Sequence, residues 1–567
     1  MSINDRSSRR RRGIAWPVGH VLALAPVDVW VRMIVRSGGV RPRYWLRLGF
    51  ILITSFVGTI ATVHERVVLS LLWWVRNKKK RRAGSPSHQE NQIEHEPGAV
   101  VIVGYYRTGT THLQNLMSCD GRFVTPRWSQ CLAGQGFVFG WAMIRFVLVP
   151  FLGQTRPQDA VGFGPNWPGE DDFALCSWGG CSSIPGRFIW PSRWDDWKRW
   201  HGLEGLSDKE MNRWRSLMAM FVWKITRGKQ NRDRVVLLKT PSHTARIAEL
   251  DRLFNGRVKF VHLVREPGAV IDSNVRLHES LAGHLLEDGP DVQTLRDRIV
   301  EEYAQTETKC CQEAEAIGSG RFVRVRYQDL RNDAIGTMRS IYGTLGMDFD
   351  ERAQASVEGY LGQLGAYEST KEVIELGEVT GNEETIKAEM IERYKLDAEP
   401  IARVEIEHVE DESAKTWRGI GSGMLVAIGC IALWLGAVWA VHSIWPGFHP
   451  RLIPAVWVCG AVIGMGARKA AGNGSVGLGI AASALTVFVV VSVAFPVSVI
   501  NYNFASTPGY TTQDWLYHNA KYGFEGLRSV ASMVFIVLGA VTAYRHGVAN
   551  DIPIPGRPSK TDPKVHK

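Results

Sequence analysis

The sequence predicts an α/β fold with a central parallel sheet, followed by an α-helical transmembrane domain. Apolar runs such as Val100–Val103, Val235–Leu238 and Val258–Val264 read as buried strands, and helical patterns follow them. Phe322–Arg326 alternates like a strand and passes into a helix around Met338 to Leu345. After Trp417-Arg418 the composition shifts abruptly to four long apolar segments. At 567 residues the chain exceeds one ordinary domain. The boundaries read as a basic N-terminal region with a membrane-associated apolar segment at 1–95, the α/β domain at 96–400, a linker at 401–418, a four-helix transmembrane region at 419–546 and a polar tail at 547–567.

The first strand carries the most chemistry. Val100–Val103 runs into Gly104-Tyr105-Tyr106-Arg107-Thr108-Gly109-Thr110-Thr111, a loop that opens a helix. Gly104 and Gly109 let the backbone turn sharply and approach a ligand. Successive N–H groups and the helix N-terminus then face an anion, and Arg107, Thr108, Thr110 and Thr111 add donors. The expected domain is a three-layer fold of the P-loop type. A nucleotide-hydrolysing loop would place a lysine before its final Ser/Thr, whereas here a basic residue stands at the loop's start. The strand Val258–Val264 ends in Arg265, with Ser273 eight positions later in a helical pattern. Val235–Leu238 ends in Lys239-Thr240-Pro241-Ser242-His243, and Arg326-Tyr327-Gln328-Asp329-Leu330 closes the fourth strand.

These blocks resemble the sulfotransferases that use 3′-phosphoadenosine 5′-phosphosulfate (PAPS). The loop matches their Lys/Arg-Ser/Thr-Gly-Thr-Thr pattern, Lys239–His243 their Lys-[Ser/Thr]-Pro-x-His segment, and Arg326–Leu330 their Arg-Tyr-x-Asp-Leu segment. Pro168-Gly169-Glu170-Asp171-Asp172-Phe173-Ala174-Leu175 matches a Pro-x-Glu-Asp-Asp/Glu-x-Ala-Leu segment of one branch. The resemblance spans roughly residues 97 to 350, and the late Arg-Lys-Gly-x-x-Gly-Asp motif of cytosolic relatives is not found. It implies PAPS as co-substrate, no metal, Arg107, Thr108, Gly109, Thr110 and Thr111 at the 5′ end, Arg265 and Ser273 on the 3′-phosphate, and Tyr327 near the adenine. A surface ion pair for Arg265 and a core-closing role for Tyr327 are the plainer readings.

Sulfuryl transfer is an in-line displacement, so cations are needed at the departing nucleotide and a base at the acceptor hydroxyl. Arg107 and Lys239 are the electrostatic candidates, Glu170 and His243 the candidate bases. The histidine of classical relatives lies two positions earlier, which favours Glu170 narrowly. Alternatively Glu170 pairs with Arg156 or Arg187, and His243 caps the helix near Thr244. The competing function is a degenerate P-loop nucleotide-binding protein serving a transport or sensing membrane domain. A P-loop kinase would need a magnesium-binding partner that the sequence does not show.

Net charge is +11, with basic runs at Arg9–Arg12 and Lys78–Arg82. Both flank an apolar segment, which favours anionic lipid headgroups over nucleic acid as the partner. The eight scattered cysteines lack zinc spacing and disulfide-scaffold density, and no cleavable signal peptide is evident. The segments near 421–441, 452–467, 476–498 and 528–544 approach the roughly 20 residues of a bilayer crossing. Arg468-Lys469 and Arg545 set their orientation, placing the α/β domain and tail in the cytoplasm and the Asn501–Gly526 loop outside. Tyr44–Val75, interrupted by His64-Glu65-Arg66, reads as an interfacial or re-entrant hairpin, with a spanning pair as the alternative. Phe137–Leu152 is a buried helix or an acceptor entrance. The expected protein is thus an integral membrane sulfotransferase whose acceptor is lipid-linked or membrane-proximal.

Overall fold

The computed structural model describes residues 22, 24–82, 92–93, 95–138, 164–228, 230–362, 377–396 and 412–444, then 459–466, 482–487, 489–490 and isolated positions up to 539. The chain divides into two compact units. One comprises Met1–Leu148, Thr155–Ile401 and Pro553–Lys567, the other Val149–Gln154 and Ala402–Ile552.

The large unit is built on five parallel strands in the order β2-β3-β1-β4-β5. They are β1 (Ala99–Val103), β2 (Phe123–Val124), β3 (Val235–Lys239), β4 (Val258–Val264) and β5 (Phe322–Arg326). β1 is buried throughout and pairs on both sides, Ala99 standing opposite Val236 and Val258, as its unbroken apolar sequence requires. The two-residue β2 is too short to leave a sequence pattern, and only the tertiary pairing with Val235 and Val236 reveals it. Alternation along the strands divides the core. Val100, Ile102, Val261 and Leu263 pack with Leu113 and Leu116 of α3 (Thr110–Met117) and with Ile341 and Tyr342. On the other face, Val264 packs with Val270 and Val275 of α6 (Pro267–Leu281) and with Leu295 and Ile299 of α7 (Val292–Glu315). The result is a three-layer α/β unit whose chain order reverses about β1. The crevice beyond the carboxyl ends of β1, β3 and β4 is where such sheets bind ligands.

Before the sheet come α1 (Val27–Arg36) and α2 (Trp45–Arg82). Tyr44–Val75 forms a helix pair bent by 54° between Pro42–Ile60 and Thr62–Val75, a shape that by length and composition suits either a broken span or a re-entrant loop. The interrupting charges are absorbed on its inner side. Glu65 pairs with Lys224 of α5 (Asp208–Thr226) at 3.0 Å, and Arg66 pairs with Asp28 of α1 at 2.9 Å. α4 (Asp171–Gly179) starts at the site described below, and α8 (Gly381–Tyr394) clamps α7 through a buried Glu383–Arg296 pair at 2.7 Å.

In the small unit, α9 (Glu412–Ile444) contributes Ala427, Trp434 and Val438 to a core with Cys459, Ile463 and Val489. Among the described residues no single helix is long and apolar enough to cross a membrane, so the expected four-crossing region is not found there. The apolar part of α9, Met424–Ala440, falls short of the roughly 20 residues a crossing needs. Most of the other three apolar segments, the Asn501–Gly526 loop, the tail and all of Phe137–Leu152 beyond Val138 lie outside the described residues.

One buried group gives the large unit a pH signature. His278 of α6 donates from Nδ1 to the Asn274 carbonyl at 2.9 Å, and its ring lies 5.2 Å from Phe188 and 5.8 Å from Trp194. Burial, reinforced by the Arg187 charge, pulls its pKa down to about 3. An unfolded histidine takes its proton near 6.5, so the unfolded chain binds more protons between pH 6.5 and 3 and stability falls as pH drops through that window. His278→Leu should therefore flatten the loss of unfolding stability between pH 7 and pH 5, measured on the full chain by native-state hydrogen exchange at the β4 amides. An unchanged slope would assign the acid sensitivity elsewhere.

Candidate active site

The loop after β1 is conformationally demanding. Gly104 has φ +147°, and a Cβ there would stand 2.6 Å from the Leu263 carbonyl oxygen. Gly109, the N-cap of α3, has φ +97°, and its missing Cβ is replaced by the ring of Tyr327, whose Cδ2 would lie 2.5 Å away. Only glycine fits either place. Arg107 is held at φ +71°, a costly conformation for a branched-side-chain-free but Cβ-bearing residue, and such strain gathers at ligand sites. The Thr108 hydroxyl donates to the Tyr105 carbonyl at 2.8 Å and locks the turn.

Two groups of predicted residues converge on this loop. At the end of β3, Lys239 Nζ donates to Thr111 Oγ1 at 3.1 Å and to Glu170 Oε1 at 2.5 Å. Lys239 is almost fully buried, while the Glu170 side chain retains 14% exposure at the N-cap of α4. At the end of β4, Arg265 Nη1 donates to the Arg107 carbonyl at 3.2 Å, and its guanidinium lies 4.6 Å over the Tyr327 ring. The Arg107 side chain reaches across to α6, its Nε donating to Ser273 Oγ at 2.9 Å. Thr110 is buried in the first turn of α3, behind Thr111.

His243 corrects an expectation. It lies inside the 3-10 turn Pro241–Ala245 and caps no helix; it is fully buried, and its Nε2 is 2.7 Å from Asp171 Oδ2. Burial pushes the Asp171 carboxyl up, but the charge and hydrogen bond of His243 outweigh this and hold it below the usual carboxylate range. Thr240 Oγ1 donates to Asp171 Oδ1 at 3.1 Å and accepts from the Asp172 amide at 3.3 Å. The enclosed ring ties the 3-10 turn after β3 to the first turn of α4, one residue from Glu170. Nor does Arg187 reach Glu170, because it is buried against Glu302; Arg156 lies outside the described residues.

Sequence reasoning missed two supports. Arg246, three residues beyond His243, donates to Asp172 Oδ1 at 2.8 Å in full burial. Glu266 caps α6, accepting from the Gly268 and Ala269 amides at 2.8 and 2.6 Å. The Arg265-Glu266-Pro267-Gly268 string carries that second signal, a capping acid before a proline at the first helical position. Arg246 has no local signal, since its partner is 74 residues away.

The site suits an anionic nucleotide. Gly104 and Gly109 leave backbone where a side chain would block approach, and Arg107, Lys239 and Arg265 gather around the loop. Among the described residues no cluster of His, Cys, Asp or Glu is arranged to hold a metal ion.

Residues 183–351, which include Lys239, His243, Arg265, Ser273 and Tyr327, match the family described as Sulfotransferase family. Omega-hydroxy-beta-dihydromenaquinone-9 sulfotransferase Stf3 from Mycobacterium bovis and from Mycobacterium tuberculosis are each 31% identical over 256 residues, 44% of this chain. The chain covers 63% of the length of these curated relatives. Among solved structures, sulfotransferase STF9 from Mycobacterium avium aligns with 18% identity and a TM-score of 0.41 over 66% of this chain and 97% of that one. STF1 from Mycobacterium tuberculosis aligns with 15% identity and a TM-score of 0.39 over 63% of this chain and 91% of that one. Residues 183–351 thus match the sulfotransferase family, and the chain is similar to mycobacterial sulfotransferases.

Proposed function

We propose that the protein transfers the sulfuryl group of PAPS to a hydroxyl of a lipid-like acceptor at a membrane, with the catalytic unit on the cytoplasmic side. The observation that carries this reading is the Thr111–Lys239–Glu170 chain beside the glycine-bounded loop. It puts a cation and a carboxylate within one hydrogen bond of each other at the mouth of an anion cradle. PAPS supplies an activated sulfuryl group and a nucleotide leaving group. Around it, the loop amides and the Thr110 and Thr111 hydroxyls bind the 5′ end, and Lys239 neutralises charge developing on the bridging oxygen. Arg265, with Arg107 and Ser273, binds the 3′-phosphate, and Tyr327 borders the nucleotide. Glu170 Oε accepts the proton of the acceptor hydroxyl. His243 and Asp171 hold the first turn of α4 so that Glu170 stays in place.

The acceptor class draws support from the curated relatives, whose name specifies an omega-hydroxylated dihydromenaquinone. A hydroxylated, extended apolar lipid is therefore the first substrate to test. A scaffold that only binds nucleotide is the competing reading, and an assay of labelled sulfate transfer from PAPS to a hydroxylated isoprenoid quinone separates the two.

The donor site is tested by calorimetry. Arg265→Ala and Ser273→Ala should each weaken binding of 3′-phosphoadenosine 5′-phosphate by about 1.5–3 kcal/mol, the range of charge-assisted hydrogen bonds, and leave AMP binding unchanged. Equal losses for both nucleotides would remove the 3′-phosphate assignment.

A further inference from the structure

The helix α2 carries two opposed stripes. Ser55, Gly58, Thr62, Glu65 and Leu69 recur at spacings of three and four and are buried. They are tied to the large unit by polar bonds along much of the helix. Ser55 Oγ donates to the Ala25 carbonyl at 2.5 Å, the Val27 amide donates to Thr59 Oγ1 at 3.0 Å, and Glu65 accepts from the Val138 amide at 2.8 Å. The Glu65–Lys224 pair is fully buried, and Lys224 also donates to the Gly134 carbonyl at 2.7 Å. At the bend, Gly136 meets Thr62 so closely that a Cβ would stand 2.2 Å from its methyl carbon. The other stripe, Leu46, Ile53, Phe56, Ile60, Val67 and Leu71, keeps the same periodicity, and each side chain is more than half exposed.

We propose that α2 lies in the plane of a membrane surface, its outer stripe in the acyl region of an anionic bilayer and its inner stripe bolted to the catalytic unit. An exposed apolar face of this length marks an interaction surface. Its ends identify the partner. Exposed Trp45 opens the stripe and exposed Trp74 closes it, with Lys78 Nζ 4.8 Å over the Trp74 ring and the run Lys78–Arg82 just beyond. Amphipathic aromatics and lysines at this level are the signature of the headgroup boundary, and the basic run complements anionic lipid. A crossing is disfavoured by the inner stripe. It would carry Glu65, Lys224, Arg66 and Asp28, with the polar elements bonded to them, into hydrocarbon. An in-plane helix leaves all of these on the aqueous side and immerses the apolar stripe, along which His64, between Ile60 and Val67, is an exposed polar side chain at headgroup reach. The proposal rests on the membrane-bound part of the reading above and is independent of its transfer chemistry.

The test is a depth profile of the full chain bound to vesicles of phosphatidylcholine with phosphatidylglycerol. A nitroxide on p-acetylphenylalanine is introduced singly at Ile53, Ile60, Val67 and Leu71. Chains whose unfolding temperature matches the unlabelled protein are then probed by power saturation with oxygen and with a water-soluble nickel chelate. Oxygen should exceed nickel accessibility at all four positions, with similar shallow depths. A depth that passes through the bilayer centre and rises again along the helix would establish a crossing and overturn the proposal. Nickel-dominated accessibility would leave the face in water, and low accessibility to both reagents would mean that protein covers it, a second copy or another segment of this chain. Either result also overturns it. Failed sulfate transfer with the expected profile would leave the membrane assignment standing.

Discussion

Glu170→Gln lowers the rate of sulfate transfer by about 10²- to 10⁴-fold, the loss typical of a missing general base, while 3′-phosphoadenosine 5′-phosphate binds as before. Glutamine keeps the shape of the side chain and an oxygen to accept from Lys239 Nζ, which lies 2.5 Å from Glu170 Oε1. It cannot accept the acceptor's proton. Geometry singles out Glu170 because it is the partly exposed carboxylate of the cluster, whereas the Asp171 and Asp172 side chains are buried and bound to His243 and Arg246. His243→Ala acts differently. It leaves the buried Asp171 carboxylate without its His243 hydrogen bond, so its cost appears first as lost stability. Full transfer by the Glu170→Gln chain in a single-turnover assay would end the assignment.

Arg246→Met destabilises the large unit by about 3–5 kcal/mol, the cost of breaking a buried ion pair from one side. The guanidinium is 1% exposed and donates to Asp172 Oδ1 at 2.8 Å, to the His201 carbonyl at 2.9 Å and to the Trp200 carbonyl at 2.5 Å. Removing it orphans a carboxylate that retains only the Ser182 hydroxyl among its side-chain partners, together with two main-chain carbonyls. Adding Asp172→Leu removes the orphaned charge and should recover much of the loss. Because the chain has two units, the measurement is native-state hydrogen exchange at the β3 amides rather than a global melt. A single-variant loss below about 1 kcal/mol, the value of an ordinary exposed pair, would contradict the buried-pair assignment.

The strands and the ligand loop were legible because their causes are local. Continuous apolar runs specify central strands, and Gly104 and Gly109 stand where the backbone takes positive φ. The spacing from Arg265 to Ser273 put both at one crevice, since a strand end and the second turn of the following helix are close in any such unit. The faces of the N-terminal helix were not recoverable in the same way. Hydropathy counts apolar residues without saying which face is covered, and the single run Tyr44–Val75 holds both an exposed apolar stripe and a protein-bound one.

By itself the sequence determined the α/β class, the glycine-bounded loop after the first strand and the order of the strand-end blocks, each encoded within about ten residues by periodicity, glycine placement or strand-end charge. Only the tertiary structure decided which of three adjacent acids stays accessible, and that His243 is bonded to Asp171. It also decided that Arg107 turns toward Ser273 and that Glu65 is neutralised by Lys224. These are pairings across 69 to 166 residues of sequence. Their partners are selected by which elements pack together and by the cost of burying an unpaired charge, and neither is a property of any local stretch of chain.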